Sequence, residues 1–212
     1  MSARKPWERA DAGRSRDTRS RRRILIVCED EKSSRDYFQA FPVDRSRTEI
    51  VALGTGLNTL GLVEHAIGLR NRADGSGTPY ASVWCVFDRD SFAEDNYRKA
   101  FALARENGMR VAWANEAFEL WYLLHFNYHD TALPRSHYAA KLSPHLSSAY
   151  DKADASMYDH LESRQATALK NARRLERHWA ELSVNNPERE NPSTGIHKLV
   201  EHLNELRNLG AA

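Results

Sequence analysis

Three apolar stretches of this 212-residue sequence each end in acidic side chains. These are Glu29, Asp30 and Glu31 after the first stretch, Asp88 and Asp90 after the second, and Glu116 and Glu119 after the third. Carboxylates held close together raise one another's pKa unless a cation neutralises them. Carboxylate oxygens suit Mg²⁺ or Mn²⁺, and these ions act on phosphodiesters by stabilising the attacking and leaving oxygens. If the three stretches lie side by side, the pattern therefore indicates metal-dependent phosphodiester chemistry.

Asp88 and Asp90 are the central pair of this pattern. They are separated by one residue, and in an extended backbone such side chains point to the same side, so both carboxylates could face one cation. The same spacing also occurs in turns and at helix caps, so the pair alone does not decide between a metal site and a structural role. Because acidic residues recur after two other strands, we favour the metal site.

Four apolar runs of strand length alternate with helical patterns in the first part of the chain. The runs cover residues 24–28, 48–53, 83–87 and 110–114. This alternation predicts an α/β fold over residues 24–130, with a parallel, Rossmann-like four-stranded sheet flanked by helices. The carboxyl ends of parallel strands meet at one edge of a sheet, where ligands collect. The predicted fold would therefore bring the acidic residues together.

The alternation stops after residue 130, and a helical extension packed on the α/β domain is expected over residues 131–212. A long helix is predicted near residues 161–182, and a last amphipathic helix follows the turn at residues 191–194. One face of the long helix is basic. It carries Arg164, Lys170, Arg173, Arg174 and Arg177. Such a face is either solvated or part of a nucleic-acid groove.

The first 23 residues carry nine of the 31 basic residues but only three of the 29 acidic ones, so the excess positive charge of the chain lies there. Their composition predicts a disordered basic tail, which is either solvated or contacts phosphates through Arg21, Arg22 and Arg23.

No apolar run approaches the roughly 20 residues that span a bilayer, and no signal-peptide core is visible. We expect a cytoplasmic protein with no membrane contact. Cys28 and Cys85 lie in apolar runs, which predicts buried free thiols.

The order of the acidic motifs resembles a known pattern. A Glu follows the first strand, and Asp-Arg-Asp follows a later one. This order, in an α/β domain of this size, is similar to that of the Toprim domain of topoisomerases, primases and OLD-type nucleases. The chain resembles the RloB family more closely, over residues 24 to about 205. The matching motifs are Val27-Cys28-Glu29-Asp30-Glu31-Lys32, Phe87-Asp88-Arg89-Asp90, Asn115 with Phe118-Glu119-Leu120-Trp121 and Leu124-His125-Phe126, and Asn191-Pro192-Ser193-Thr194.

This resemblance implies a Toprim-like, Mg²⁺- or Mn²⁺-dependent nuclease used in phage defence as an abortive-infection effector. It also implies nucleic acid and an ATPase of the RloA, AAA or ABC type as partners, and it is compatible with a homo-oligomer. Carried over by position, Glu29 would be the general acid/base. Asp88 and Asp90 would hold the metal, with Glu119 and Glu31 as accessory acids, and Lys32 and Arg89 are expected to contact the nucleic acid.

The chain departs from the family pattern at two positions. The family usually has Gly where this chain has Asp30, and it often has Glu where this chain has Ser34. A side chain at position 30 could crowd a close approach that Gly permits, or it could add a ligand.

Two other functions stay open. A HAD-type phosphatase also places Asp-x-Asp after an apolar strand, with the first Asp as nucleophile, but here Phe92 stands where Thr is expected and another acidic strand end precedes the pair. A non-catalytic Toprim-like sensor or interaction subunit of an ATPase complex is the other alternative. DNA and RNA, including tRNA, are equally open as substrates, because a carboxylate–metal centre attacks either backbone.

Overall fold

A five-stranded, mostly parallel sheet organises the chain. Its strands are β1 (Arg22–Cys28), β2 (Thr48–Gly54), β3 (Ser82–Asp88), β4 (Arg110–Asn115) and β5 (Ser193–Thr194). They lie in the order β2-β1-β3-β4-β5, the first four parallel and β5 antiparallel to β4. This computed structural model describes residues 21–89, 94–184 and 186–209. The predicted α/β class with helices flanking the sheet is confirmed.

Eight α-helices accompany the sheet in the described ranges. They are α1 (Ser33–Gln39), α2 (Thr59–Gly75), α3 (Glu94–Glu106), α4 (Glu119–Leu124), α5 (Tyr138–Leu142), α6 (Met157–Leu161), α7 (Gln165–Glu181) and α8 (Ile196–Leu209). Asn58 is the N-cap of helix α2, because its side chain accepts a hydrogen bond of 2.8 Å from the backbone N–H of Gly61. None of the described helices is long and apolar enough to cross a membrane.

The sheet is covered on both faces. Leu25 and Val27 of β1 pack with α2 and α3 on one face, whereas Ile24 and Ile26 pack on the other face with α1, α4 and the helices that follow residue 131. Burial on both faces explains why β1 and β3 are continuous apolar runs instead of alternating ones. Cys28 and Cys85 belong to the clusters on opposite faces, and both are buried free thiols, as expected.

The prediction of four strands needs a correction, because β5 adds a fifth. Thr194 donates a hydrogen bond of 2.9 Å from its Oγ1 to the carbonyl of Trp113, and the N–H of Gly195 donates to the same oxygen at 2.9 Å. A polar strand of two residues has no apolar pattern of its own, so only its pairing with β4 defines it.

The predicted disordered tail over residues 1–23 is wrong at its end, because Arg22 and Arg23 belong to β1. The guanidinium of Arg23 pairs with Glu49 of β2 at 2.9 Å and lies 4.4 Å from the ring centroid of Tyr80. These partners come from distant parts of the chain, so the local composition could not reveal them. Residues 1–20 lie outside the described ranges.

Candidate active site

The carboxyl ends of β1, β3 and β4 lie next to one another. The backbone N–H of Glu29 donates to the carbonyl of Val86 at 2.9 Å, and that of Arg89 donates to the carbonyl of Ala114 at 2.8 Å. The N–H of Asp88 donates to Oε2 of Glu29 at 3.1 Å. The structure therefore places Glu29 and Asp88 side by side at one edge of the sheet, and Glu119 lies near enough for its charge to act on Asp88. We call the carboxylates of Glu29, Asp88 and Glu119 at this edge the acidic edge.

Asp88 is the most constrained member of the acidic edge. Asp88 is only 9% exposed, and this burial raises the pKa of its carboxyl well above the usual value. The negative charge of Glu119 raises this pKa further, and those of Glu29 and Asp30 contribute less, while Arg135 opposes them. A buried carboxyl surrounded by other carboxylates attracts a proton or a cation, so this position favours binding of positive charge.

Arg135 supplies part of that positive charge. Its Nη2 lies 3.2 Å from Oδ2 of Asp88 and donates a hydrogen bond of 3.0 Å to the carbonyl of Glu116. The backbone N–H of Arg135 also donates to the carboxylate of Glu116 at 2.9 Å. Sequence reasoning missed this residue. It carries no motif and stands in the extension, 47 positions beyond Asp88.

Glu119 is buried at the start of α4. The hydroxyl of Tyr150 donates a hydrogen bond of 2.9 Å to Oε1 of Glu119. Burial and the charge of Glu119 raise the pKa of Tyr150, so its hydroxyl keeps the proton that it donates. The extension thus supplies two side chains, Arg135 and Tyr150, that contact the acidic edge.

Asp30, the departure from the family pattern, faces the start of α1. Its Oδ1 accepts the backbone N–H groups of Lys32 at 2.6 Å and Ser33 at 3.0 Å, and its Oδ2 accepts that of Ser34 at 3.1 Å. Asp30 therefore satisfies the N–H groups at the start of α1. Its carboxylate acts as a structural cap at the base of the acidic edge.

The close backbone approach near Asp30 is made at Gly54, the last residue of β2. A Cβ atom at Gly54 would lie 2.5 Å from Cα of Glu31 and 2.8 Å from the carbonyl oxygen of Asp30. Glu31 itself is exposed, and a Cβ at Gly56 would lie 3.2 Å from its Oε1. The carboxylate of Glu31 therefore lies beside the turn after β2.

The predicted nucleic-acid contacts fall in two places. Lys32 is exposed next to the acidic edge, and Arg89 donates from Nε to the carbonyl of Glu188 at 3.2 Å. Arg21, Arg22 and Arg23 stand at the opposite end of β1, roughly 20 Å from Glu29 at ~3.3 Å per strand residue. The structure does not bring these three arginines to the acidic edge. Asp90 lies outside the described residues.

The donor chemistry of the acidic edge fits a hard cation, because Glu29, Asp88 and Glu119 offer only carboxylate oxygens. The fit is incomplete within residues 21–89, 94–184 and 186–209, where no three His, Cys, Asp or Glu side chains stand close enough together to hold a metal ion. A complete ligand set would need a further ligand such as Asp90 or a shift of the side chains.

Comparison with known proteins yields one match. No curated protein and no solved structure matches the chain. A family model described as RloB-like protein matches residues 24–203, which run from β1 into α8 and include every residue of the acidic edge. Since this match covers most of the chain, the protein belongs to the RloB-like family.

Proposed function

We propose that the protein is a Toprim-like nuclease that cleaves phosphodiester bonds of DNA or RNA, including tRNA, with Mg²⁺ or Mn²⁺ as cofactor. The observation that carries the proposal is the buried carboxyl of Asp88, whose pKa is raised by burial and by the charges of Glu119 and Glu29. In this proposal β2, β1, β3 and β4 form the four-stranded Toprim-like unit, and β5 is an addition to it.

The electrostatics of the acidic edge support a cation there. Keeping a buried carboxylate ionised next to other carboxylates costs free energy unless a positive charge neutralises it. Arg135 neutralises part of the charge, but its side chain is 45% exposed, so water screens much of its effect. Asp88 and Asp90, with Glu119 and Glu31 as accessory acids, would hold the divalent ion. When bound, the ion would stabilise negative charge on the attacking and leaving oxygens.

The remaining roles fall to side chains around the acidic edge. Glu29 accepts the N–H of Asp88, which fixes one of its carboxylate oxygens, and we assign it the role of general acid/base. Lys32 is exposed on the first turn after Glu29 and can contact the nucleic-acid backbone, as can Arg89. On the family resemblance, the nuclease would act in the cytoplasm as a phage-defence effector beside an ATPase of the RloA, AAA or ABC type.

A second candidate function is a non-catalytic interaction subunit of such an ATPase complex. Two observations favour it. Asp88 already has a cationic neighbour, Arg135, and the described residues do not assemble three metal ligands. In this alternative the acidic edge would be a structural feature of the fold, and Arg135 would be its permanent counter-ion.

Cleavage assays with matched variants separate the two functions. The purified protein, with and without its ATPase partner, is incubated with DNA, RNA and tRNA in the presence of Mg²⁺, Mn²⁺ or EDTA. We expect metal-dependent cuts that Glu29→Gln and Asp88→Asn each reduce at least a hundredfold. Glu64→Gln, which changes an exposed carboxylate on α2, should cut like the parent protein. The nuclease proposal fails if no cut depends on Glu29 and Asp88 while circular dichroism shows that both variants are folded.

A further inference from the structure

A concave site lies between α3, β4 and the segment at residues 186–188. Its cavity volume is about 570 Å³, which is within the range of ~300–1,000 Å³ typical of small-molecule sites. None of Glu29, Asp88 and Glu119 lines it. We call it the α3–β4 cleft. Neither the family match nor the proposed nuclease activity assigns it a role.

Aromatic side chains form much of the wall of the α3–β4 cleft. Phe101 and Trp113 have ring centroids 5.5 Å apart, and Tyr97 lies 5.0 Å from Phe101. Phe101 and Trp113 are only partly buried, so part of their ring surface remains accessible. Such a surface suits a flat aromatic ligand, because aromatic rings gain free energy by offset or edge-to-face packing.

The ring of Trp113 is held in a fixed position. Its Nε1 donates a hydrogen bond of 3.3 Å to Oγ of Ser193, and a Cβ atom at Gly195 would collide with its six-membered ring. Trp113 therefore packs directly against the backbone that follows β5. A rigid ring loses little conformational entropy when a ligand packs on it, which favours binding.

The charge of the α3–β4 cleft is strongly positive. Four cations line it, namely Arg98, Arg105, Arg110 and Lys198, against one carboxylate, Glu188. Glu188 is buried and lies 3.8 Å from Arg98, and Lys198 pairs with Glu176 on α7 at 2.7 Å. In the part of the chain that the structure describes, no carboxylate lies within 4.0 Å of the guanidinium of Arg105 or Arg110. These two arginines thus provide positive charge for an anionic ligand.

Aromatic surface and arginines in one cavity match the two parts of a nucleotide. Bases stack on aromatic rings, and guanidinium groups bind phosphate oxygens in a planar, bidentate geometry. We propose that the α3–β4 cleft binds a nucleotide, with the base against Phe101 and Trp113 and the phosphate on Arg105 and Arg110. The nucleotide is either free or one unit of a single-stranded nucleic acid, since both present the same base and phosphate.

The position of the cleft places this nucleotide next to the acidic edge. Glu188 lines the cleft with its side chain, while its carbonyl accepts the hydrogen bond from Arg89. Two residues further on, the carbonyl of Glu190 accepts a hydrogen bond of 2.8 Å from Nδ2 of Asn115 at the end of β4. The segment at residues 186–190 thus separates the α3–β4 cleft from the strand ends.

Binding measured in EDTA tests the proposal independently of any cleavage. The full chain is titrated with ATP and, separately, with a 5′-phosphorylated single-stranded oligonucleotide, by calorimetry and by quenching of Trp fluorescence. We expect Arg105→Glu and Arg110→Glu to weaken binding at least tenfold, and Trp113→Leu to weaken it and reduce the quenching. Arg72→Glu is an equal charge reversal on the exposed surface of α2, and its affinity for both probes should stay within about twofold of that of the parent protein.

The two probes distinguish the sources of the nucleotide. Binding of ATP that depends on Arg105 and Arg110 supports a free nucleotide, whereas oligonucleotide binding with the same dependence, without ATP binding, supports a nucleic-acid strand. The proposal is overturned if neither probe binds, or if both charge reversals leave binding unchanged while thermal melting shows that they are folded. Because EDTA removes the metal, a failed nuclease assay would not affect either result.

Discussion

Arg135 of the helical extension lies 3.2 Å from the carboxylate of Asp88 at the end of β3, and so places a positive charge where the proposed metal would bind. A guanidinium beside a carboxylate opposes the approach of a divalent cation. The opposition is moderate, because Arg135 is half exposed, and two unit charges ~4 Å apart interact by about 1 kcal/mol in water.

We therefore expect Arg135→Ala to bind Mn²⁺ more tightly than the parent protein, by about fivefold or more, which corresponds to ~1 kcal/mol. Calorimetric titration with Mn²⁺ measures this change. Lys141→Ala, which removes one positive charge from α5, should leave the Mn²⁺ affinity unchanged. Unchanged or weaker binding by Arg135→Ala would mean that the guanidinium does not compete with the metal.

The raised pKa of Asp88 predicts how stability depends on pH in the absence of metal. Since the carboxyl binds its proton more tightly in the folded state, its contribution to stability is fully present below the unfolded pKa of about 3.9 and is lost as the pH rises through the folded pKa. Asp88→Asn stays neutral at every pH. In EDTA at pH 8 the variant should therefore melt higher than the parent protein, by on the order of 2–4 °C for each kcal/mol gained.

Thermal melting between pH 4 and pH 8 checks this prediction. The difference in Tm between Asp88→Asn and the parent protein should shrink as the pH falls, because Asp88 itself becomes protonated. A variant that melts below the parent protein at pH 8 would show that the pair with Arg135 outweighs the cost of burying the charge.

The residues of the acidic edge and their partners differ in how far sequence could predict them. Glu29 and Asp88 follow buried apolar runs, and the ends of neighbouring parallel strands must meet at one edge, so their proximity follows from the fold class. Arg135 and Tyr150 come from a 3₁₀ turn and a loop in the extension. No local pattern relates them to Asp88 and Glu119, because their positions depend on how the whole extension packs.

The helices and strands also divide into those that a local sequence pattern predicts and those that depend on contacts with other parts of the chain. The apolar periodicity predicted β1 to β4 and the long helix α7, which depend on local pattern. Strand β5 is defined by its pairing with β4, and the cap of α1 comes from Asp30, three residues before the first helical residue. Competing polar side chains near a helix start can be ranked only when the backbone geometry is known.

Gly54 should be intolerant of any side chain. Gly54→Ala would place Cβ 2.5 Å from Cα of Glu31, and backbone atoms cannot move aside as a flexible side chain can. We expect a loss of stability of about 1–3 kcal/mol, as is typical of overpacking, together with weaker Mn²⁺ binding because the turn at residues 29–31 shifts. Chemical denaturation and calorimetry measure the two effects.

Gly75→Ala is the matched control for this substitution. A Cβ at Gly75, the last residue of α2, meets no atom within 4 Å. Its replacement should be neutral or stabilising by ~0.4–1 kcal/mol, because Ala reduces the entropy of the unfolded chain. Equal stability of both variants would contradict the close approach of β2 to the Asp30–Glu31 backbone.

Asp30 should stabilise α1 as a cap, and this role predicts a graded response to substitution. Asp30→Ala removes the acceptors of three backbone N–H groups and should cost about 1–2 kcal/mol of unfolding free energy, measured by urea denaturation. Asp30→Asn keeps Oδ1, which accepts two of the three N–H groups, so this variant should lose less unfolding free energy.

If Asp30 were instead a metal ligand, the Asn and Ala variants would be equally stable in EDTA, and both would lose the stabilisation that Mn²⁺ gives the parent protein. A cap therefore predicts a difference between Asn and Ala in EDTA, with stabilisation by Mn²⁺ preserved in both variants.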